Sequence, residues 1–191
     1  MMNLSFGHFK GSKIIVSSGA MARPFTGMIK NSIFNILLSR KSIEGSNIAD
    51  IFCGSGIAGL ECLSLGAEKI FFIDNQVKSL KKNIHHLSSQ KGGREFIDKK
   101  IRIINKKVPK AFSDIDEKID IVFLDPPFPM KISDEYYTIL NELLADDGIL
   151  IARFCKKNLV FKTDGPFEIA KEKKYGDSIV MFIIKKIKEN K

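Results

Sequence analysis

The chain of 191 residues has no apolar stretch near the roughly 18 residues that a membrane-crossing helix requires, so none is expected. Its opening, Met1-Met2-Asn3-Leu4-Ser5-Phe6, lacks the basic and continuous apolar regions of a secretory signal, and a cytoplasmic location follows as the expectation. Cysteine is scarce: Cys53, Cys62 and Cys155 are odd in number and show no C-x-x-C spacing, which argues against a disulfide framework or a zinc site. His8, His85 and His86 stand at no metal-ligand spacing from them, so no metal is expected and the thiols read as packing residues. There is no internal repeat and no low-complexity linker, and the length suits a single core. Acidic residues are few, with 22 against 31 basic ones, for a formal charge of +9. That balance suits a polyanionic partner, although a lysine-rich solvated surface produces the same count.

The basic excess is uneven. Before Ile48 it comprises Lys10, Lys13, Arg23, Lys30, Arg40 and Lys41, opposed by Glu44 alone. Glu44-Gly45-Ser46-Asn47 punctuates the chain, dividing a basic N-terminal arm (1–45), expected to face nucleic acid without being an independent domain, from a main domain (46–191). Within the arm, Gly7 to Val16 reads as an extended hairpin-like stretch. Thr26 is placed to cap a helix running to about Ser39, with Ile29, Ile33, Phe34, Ile36 and Leu37 as its buried stripe. Beyond Asn47, short apolar runs at 48–52, 70–73, 101–104, 119–124 and 149–154 read as strands. Helical stretches near 57–65, 76–89, 108–113 and 133–145 separate them. This alternation predicts an α/β fold, a mainly parallel Rossmann-like sheet between two helical layers. Phe167 to Ala170 and Ile179 to Ile184, flanking Tyr175-Gly176-Asp177 with no helix between, predict an antiparallel C-terminal hairpin.

Asp50-Ile51-Phe52-Cys53-Gly54-Ser55-Gly56-Ile57-Ala58-Gly59 sets a G-x-G-x-x-G between a predicted strand and a predicted helix. Asp74, at the end of the next strand, is placed to accept hydrogen bonds from a ribose diol. The loop and the acid form a nucleoside signature common to dinucleotides and S-adenosylmethionine. Asp50 leans toward the latter, because a carboxylate there attracts the ammonium of a methionine moiety and repels a pyrophosphate. A structural acid capping the loop is the alternative for this residue.

Asp125-Pro126-Pro127-Phe128 follows the apolar run Ile121-Val122-Phe123-Leu124. Two successive prolines stiffen the turn and hold the carbonyls of Asp125 and Pro126 outward, beside the Asp125 carboxylate. The carboxylate and a neighbouring carbonyl can accept the two N–H groups of an exocyclic amine while Phe128 stacks on its ring. An ordinary strand-ending turn is the alternative. Hydride transfer needs no such clamp, so the loop and clamp jointly favour methyl transfer over an NAD-dependent oxidoreductase.

These residues resemble the class I S-adenosylmethionine-dependent methyltransferases with an Asn/Asp-Pro-Pro-Phe/Tyr motif. More narrowly, the chain is similar to the RsmD family, which methylates a guanine N2 in small-subunit ribosomal RNA. The resemblance runs through Gly11, Arg23-Pro24, Thr26 and Phe34, then Asp50, Phe52, Gly54, Ser55, Gly56, Gly59, Leu60 and Glu61. It continues through Asn83, Phe123 to Phe128, and Lys174-Tyr175-Gly176-Asp177. It implies S-adenosyl-L-methionine as cofactor, held by Asp50, Phe52, Gly54, Ser55, Gly56 and Asp74. It further implies Asp125, Pro126 and Phe128 as catalytic residues and Arg23, Thr26 and Pro127 toward RNA. The implied partner is small-subunit ribosomal RNA or an assembly intermediate, met by a monomer. The chain departs from the family pattern at Gly27, Met28, Lys30, Asn31, Ser32 and Ile33, where relatives carry an acidic residue, two arginines and a glutamate before Thr-Leu-Phe. It also departs at Lys107, often Asp or Asn, and at Asp74, usually Glu. Two rival functions stay open, an adenine-N6 methyltransferase of DNA or RNA and a non-catalytic RNA-binding assembly factor on the same fold.

Overall fold

The computed structural model describes residues 1–16, 26–127, 130, 132–156 and 165–186. Five parallel strands form the heart of one seven-stranded sheet: β3 (Asn47–Ile51), β4 (Lys69–Ile73), β5 (Ile101–Ile104), β6 (Ile119–Leu124) and β7 (Leu144–Cys155). Two antiparallel strands, β8 (Phe167–Tyr175) and β9 (Ser178–Lys185), complete it in the order β5-β4-β3-β6-β7-β9-β8. The chain winds outward from β3 to β5, then returns to lay β6 on the opposite side of β3. The carboxyl ends of β3 and β6 therefore flank a switch point, the crevice where open α/β sheets bind ligands.

Helices cover both faces because the central strands are apolar on both sides. On one face lie α1 (Gly27–Leu38), α2 (Ile57–Ser64), α3 (Lys78–Ser88) and the short α4 (Gly93–Ile97), packed on Ile48, Ile70, Ile121, Phe123 and Ile151. On the other face, α5 (Asp134–Leu143) and a 3-10 turn at Lys110–Asp114 cover Ala49, Phe71, Val122, Leu150 and Met181. Each fully buried Leu, Ile or Phe in these layers contributes about 1.5–3 kcal/mol.

The strands fall where the apolar runs place them, and the C-terminal hairpin is antiparallel as expected. Four local readings need correction. The segment read as a helix over 108–113 is a 3-10 turn, α4 lies where no helix was expected, and β7 starts at Leu144 rather than 149, passing through a register irregularity opposite β6. The stretch from Gly7 to Val16 is not itself a hairpin. Its turns join two-residue strands, β1 (Met2–Asn3) and β2 (Lys13–Ile14), which pair antiparallel around them.

The arm packs into the same apolar layer as α1 to α4 through Leu4, Phe9, Ile14, Ile33, Phe34 and Leu37. Thr26 caps α1 as expected, its hydroxyl accepting from the Ile29 amide at 3.3 Å, a contact worth about 1 kcal/mol. Lys30 occupies a core position on the same stripe, fully buried. Its Nζ donates to the Asn3 carbonyl (2.6 Å), the Ser5 hydroxyl (2.8 Å) and the equally buried Glu61 carboxylate of α2. Glu61 also accepts the backbone N–H groups of Ser5 and Phe6. This buried pair fastens the arm and α1 to the helix that follows the glycine loop.

Candidate active site

Glycine at two places shapes the loop after β3. Gly54 (φ 52°) faces open space, with nothing within 4 Å of where a Cβ would stand. Gly56 (φ 77°) is closed: a Cβ there would lie 2.3 Å from Leu80 Cδ1. Phe52 itself adopts φ 61°, a strained conformation for a bulky residue and one that persists only where surrounding contacts over-determine it. Here those contacts are the Ile73 carbonyl, which accepts from the N–H groups of Phe52 and Cys53.

The acids arrange the rest. Asp74 spans the loop, Oδ2 accepting from the Gly54 amide at 2.9 Å and Oδ1 from the Gln76 amide at 2.8 Å. Asp50 is buried on β3 and reaches forward to α2, where Oδ2 accepts from the Gly59 amide at 2.9 Å. This satisfies an early N–H of a helix whose own N-cap, Gly56, has no side chain to do so. The loop-capping alternative for Asp50 is thus realised, with one oxygen to spare: Oδ1 has no hydrogen-bond partner among the described residues. Burial, and then the nearby charges of Asp125 and Asp74, push the Asp50 carboxyl up to about 7 against the pull of the Gly59 amide. A crevice onto which three carboxylates converge, one with an orphaned buried oxygen, fits a cationic ligand and opposes a pyrophosphate. Ser55 contributes its carbonyl, which accepts from Asn83 Nδ2 at 2.9 Å. The same Asn83 grips both backbone groups of Ile15 at 2.9 Å, tying the arm to the glycine loop.

One strand away, Asp125 ends β6 with its amide held by the Ile51 carbonyl of β3 at 3.3 Å. Pro126 is buried and its carbonyl has no hydrogen-bond partner among the described residues. Pro127 is exposed, and its carbonyl accepts from the Met130 amide at 2.9 Å, closing the turn. The Asp125 carboxylate meets the guanidinium of Arg153 on β7 in a two-pronged pair, Nε to Oδ1 at 2.9 Å and Nη2 to Oδ2. Arg153 was missed in the sequence. Its only signal is a charged residue inside the apolar run from Ile149 to Phe154, where a buried cation demands an anionic partner. Behind the clamp, Phe34 of α1 stacks on Phe123 at 5.7 Å.

Asp50, Phe52, Gly54, Ser55, Gly56, Asp74, Asp125, Pro126 and Pro127 all come from the carboxyl ends of β3, β4 and β6 and the turns after them. Thr26 serves α1 as its cap. Arg23 and Phe128 lie outside the described residues. Burial and the charges of Asp50 and Asp74 hold the Cys53 thiol far above its usual range, which removes it as a nucleophile. No cluster of His, Cys, Asp and Glu able to hold a metal occurs among the described residues, and no described helix is long and apolar enough to cross a membrane.

A protein-family model described as "Conserved hypothetical protein 95" matches residues 2–184. The chain belongs to that family, the RsmD family. It is similar to Ribosomal RNA small subunit methyltransferase D of Haemophilus influenzae, 30% identical over 71% of this chain and 68% of the relative. It is also similar to the protein of that name from Escherichia coli K12, 29% identical over 75% and 70%. Among solved structures, the Escherichia coli protein yhhF superimposes with a TM-score of 0.76 over 98% of this chain and 99% of that one, at 23% identity. The ribosomal protein L11 methylase of Lactobacillus delbrueckii shares the fold more distantly, with a TM-score of 0.61 at 17% identity over 85% and 81%. The RsmD-family sheet, with its C-terminal hairpin, is that of the class I methyltransferases.

Proposed function

We propose that this protein transfers a methyl group from S-adenosyl-L-methionine to the exocyclic N2 of a guanine in small-subunit ribosomal RNA, acting in the cytoplasm as a monomer. The observation that carries the reading is the placement of Asp125 and of the Pro126 carbonyl, which has no partner among the described residues, across the switch point from Asp50, Asp74 and the glycine loop. Membership of a family whose relatives are named small-subunit rRNA methyltransferases supports the acceptor class.

S-adenosylmethionine, when bound, supplies a methyl group on a positively charged sulfur. Asp50 Oδ1 would hold the ammonium of its methionine part, Asp74 the ribose diol, and Phe52, Gly54, Ser55 and Gly56 would shape the bed beneath. A guanine N2 is a poor nucleophile because its lone pair is delocalised into the ring, so orientation is the principal task of the chain. Asp125 and the Pro126 carbonyl each accept one N–H of the amine, which turns the remaining lone pair toward the methyl. Alignment of this kind can remove several kcal/mol of barrier. Asp125 also stabilises the positive charge that develops on nitrogen and passes its proton to water.

Arg153 positions this carboxylate, its fork meeting both oxygens in a two-pronged pair. Phe128 would replace the stacking lost when the base leaves its helix, and Arg23, Thr26 and Pro127 would contact the RNA. The acceptor, naked RNA or an assembly intermediate, has to present the base unstacked. Labelled methyl donor offered to small-subunit RNA, to duplex DNA and to buffer tests the reading. Label in the RNA alone is expected; label in DNA, or in none of the three, would overturn it.

A further inference from the structure

The face of the sheet under α1 carries a row of aligned residues that runs from the clamp to the sheet edge. Arg153, paired to Asp125, lies opposite Val180 of β9, and Val180 lies opposite Lys173 of the edge strand β8. With strands about 4.8 Å apart, Lys173 stands about 14 Å from the strand of Asp125, at the same level of the sheet. Lys171 follows one step down, opposite Phe182.

These two lysines form one wall of an open groove of about 540 Å³, whose other wall is the exposed side of α1 with Met28, Asn31, Asn35 and Ser39. At the upper end of the groove, Ser32 of α1 and Tyr175 of β8 meet through their hydroxyls. The lining contains no carboxylate. Neighbouring surface lysines have acids to face: Lys174 lies 3.6 Å from Glu172, Lys185 3.1 Å from Asp146, and Lys41 2.8 Å from Asp147. Lys171 and Lys173 have no ion-pair partner among the described residues. Lysines on an edge strand also discourage strand addition, but that role requires neither an acid-free groove nor alignment with the site.

We propose that the groove between α1 and β8 is the track for the sugar-phosphate backbone of the acceptor RNA beside the target nucleotide. This rests on the reading of the protein as an RNA methyltransferase and names where the strand lies. Lys171 and Lys173 neutralise phosphates. The amides of Asn31 and Asn35 and the Ser39 hydroxyl are suited to phosphate oxygens and 2′-hydroxyls, contacts that fix register without reading sequence. Met28, 73% exposed at the end of α1 nearest the site, offers an apolar surface to an unstacked base.

The test is the double substitution Lys171→Gln/Lys173→Gln, with Lys174→Gln as a same-strand control, measured against transcribed small-subunit RNA from 50 to 300 mM salt. The double variant is expected to lower the salt slope of log affinity by about 1.4–1.8, two phosphate contacts at roughly 0.7–0.9 each. KM for RNA should rise, while kcat at saturating RNA and affinity for S-adenosylhomocysteine stay unchanged. An unchanged slope and KM in a variant that still methylates RNA would overturn the track and leave the activity standing. An equal loss in Lys174→Gln would also overturn it, reducing the effect to general surface charge. Failure of the unaltered protein to methylate any RNA would overturn the parent reading and the track with it.

Discussion

If Asp50 holds the cofactor's ammonium as proposed, its burial fixes the direction in which cofactor affinity depends on pH. Its carboxyl sits near 7 in the free protein, carried up from 3.8, yet only the ionised form attracts an ammonium. At pH 5.5 about 3% of the folded protein carries an ionised Asp50 and at pH 7 about half, so affinity should rise about fifteenfold over that interval. The cofactor's own α-amino group stays protonated throughout, with an ordinary value near 7.7–8.0. Stability runs the other way. Between roughly pH 4 and 7 the folded state keeps a proton that the unfolded chain has released, so this residue's contribution is fully present below about 4 and lost as pH rises through about 7. Asp50→Asn removes that dependence while its amide oxygen can still accept from Gly59. The variant should therefore match or exceed the wild type in stability at pH 7.5, by as much as about 4 kcal/mol at the limit of complete desolvation, with a Tm at or above that of the wild type, and bind cofactor weakly at every pH. Titration calorimetry with S-adenosylhomocysteine at pH 5.5, 6.2 and 7.0, paired with thermal melts, reads both. Wild-type affinity flat across this range, or Asp50→Asn binding as tightly as wild type at pH 7, would refute the ammonium assignment.

Other outcomes follow from the same geometry. Arg153→Met should lower kcat tenfold to a hundredfold through about 1.5–3 kcal/mol of lost charged hydrogen bonding at Asp125, leaving cofactor affinity unchanged in steady-state and binding assays. Arg153→Lys, which keeps the charge without the fork, should recover only part of that loss. Lys30→Met leaves the Glu61 carboxylate buried without its cation and should cost about 3–5 kcal/mol in denaturant unfolding, whereas Lys30→Met combined with Glu61→Leu should recover only part of it, because the Ser5 and Phe6 amides then lose their acceptor. Gly54→Ala, whose Cβ enters open space, should weaken cofactor binding with a loss of stability near 1 kcal/mol from its positive φ. Gly56→Ala, driven against Leu80, should lower Tm through overpacking costing about 1–3 kcal/mol, as melts of the two variants side by side will show.

Much of the architecture was legible because parallel strands buried on both faces advertise themselves as apolar runs. Local punctuation supplied more: Thr26 before the α1 stripe, the glycines after β3, and the prolines after β6. What escaped was what distant parts of the chain supply to one another. Gly7 and Gly11 suggested a hairpin beginning there, but pairing partners sit further out at Met2–Asn3 and Lys13–Ile14, joined across turns that no alternation reveals. α4 is a single short turn-and-a-half with too few residues to show a period. Lys30 shares the spacing of Ile33, Phe34 and Leu37, yet a lysine there becomes interpretable only once Glu61 arrives from another helix. Arg153 is the same case at the site: without the register of β6 and β7, nothing in the sequence joins it to a carboxylate 28 residues earlier. Asp50 shows the complementary limit, since sequence offered it as ligand holder or loop cap, and the structure shows the cap through one oxygen while the other stays available for the proposed ligand.

The central claim is that Asp125 and the Pro126 carbonyl orient a guanine N2, and nucleoside mass mapping tests it most directly. Small-subunit RNA treated with the wild-type protein and labelled cofactor should yield N2-methylguanosine at one position, with Asp125→Ala lowering its formation at least a hundredfold while still binding S-adenosylhomocysteine. Methyl groups on adenine, or near-unchanged N2-methylguanosine with Asp125→Ala, would contradict the account.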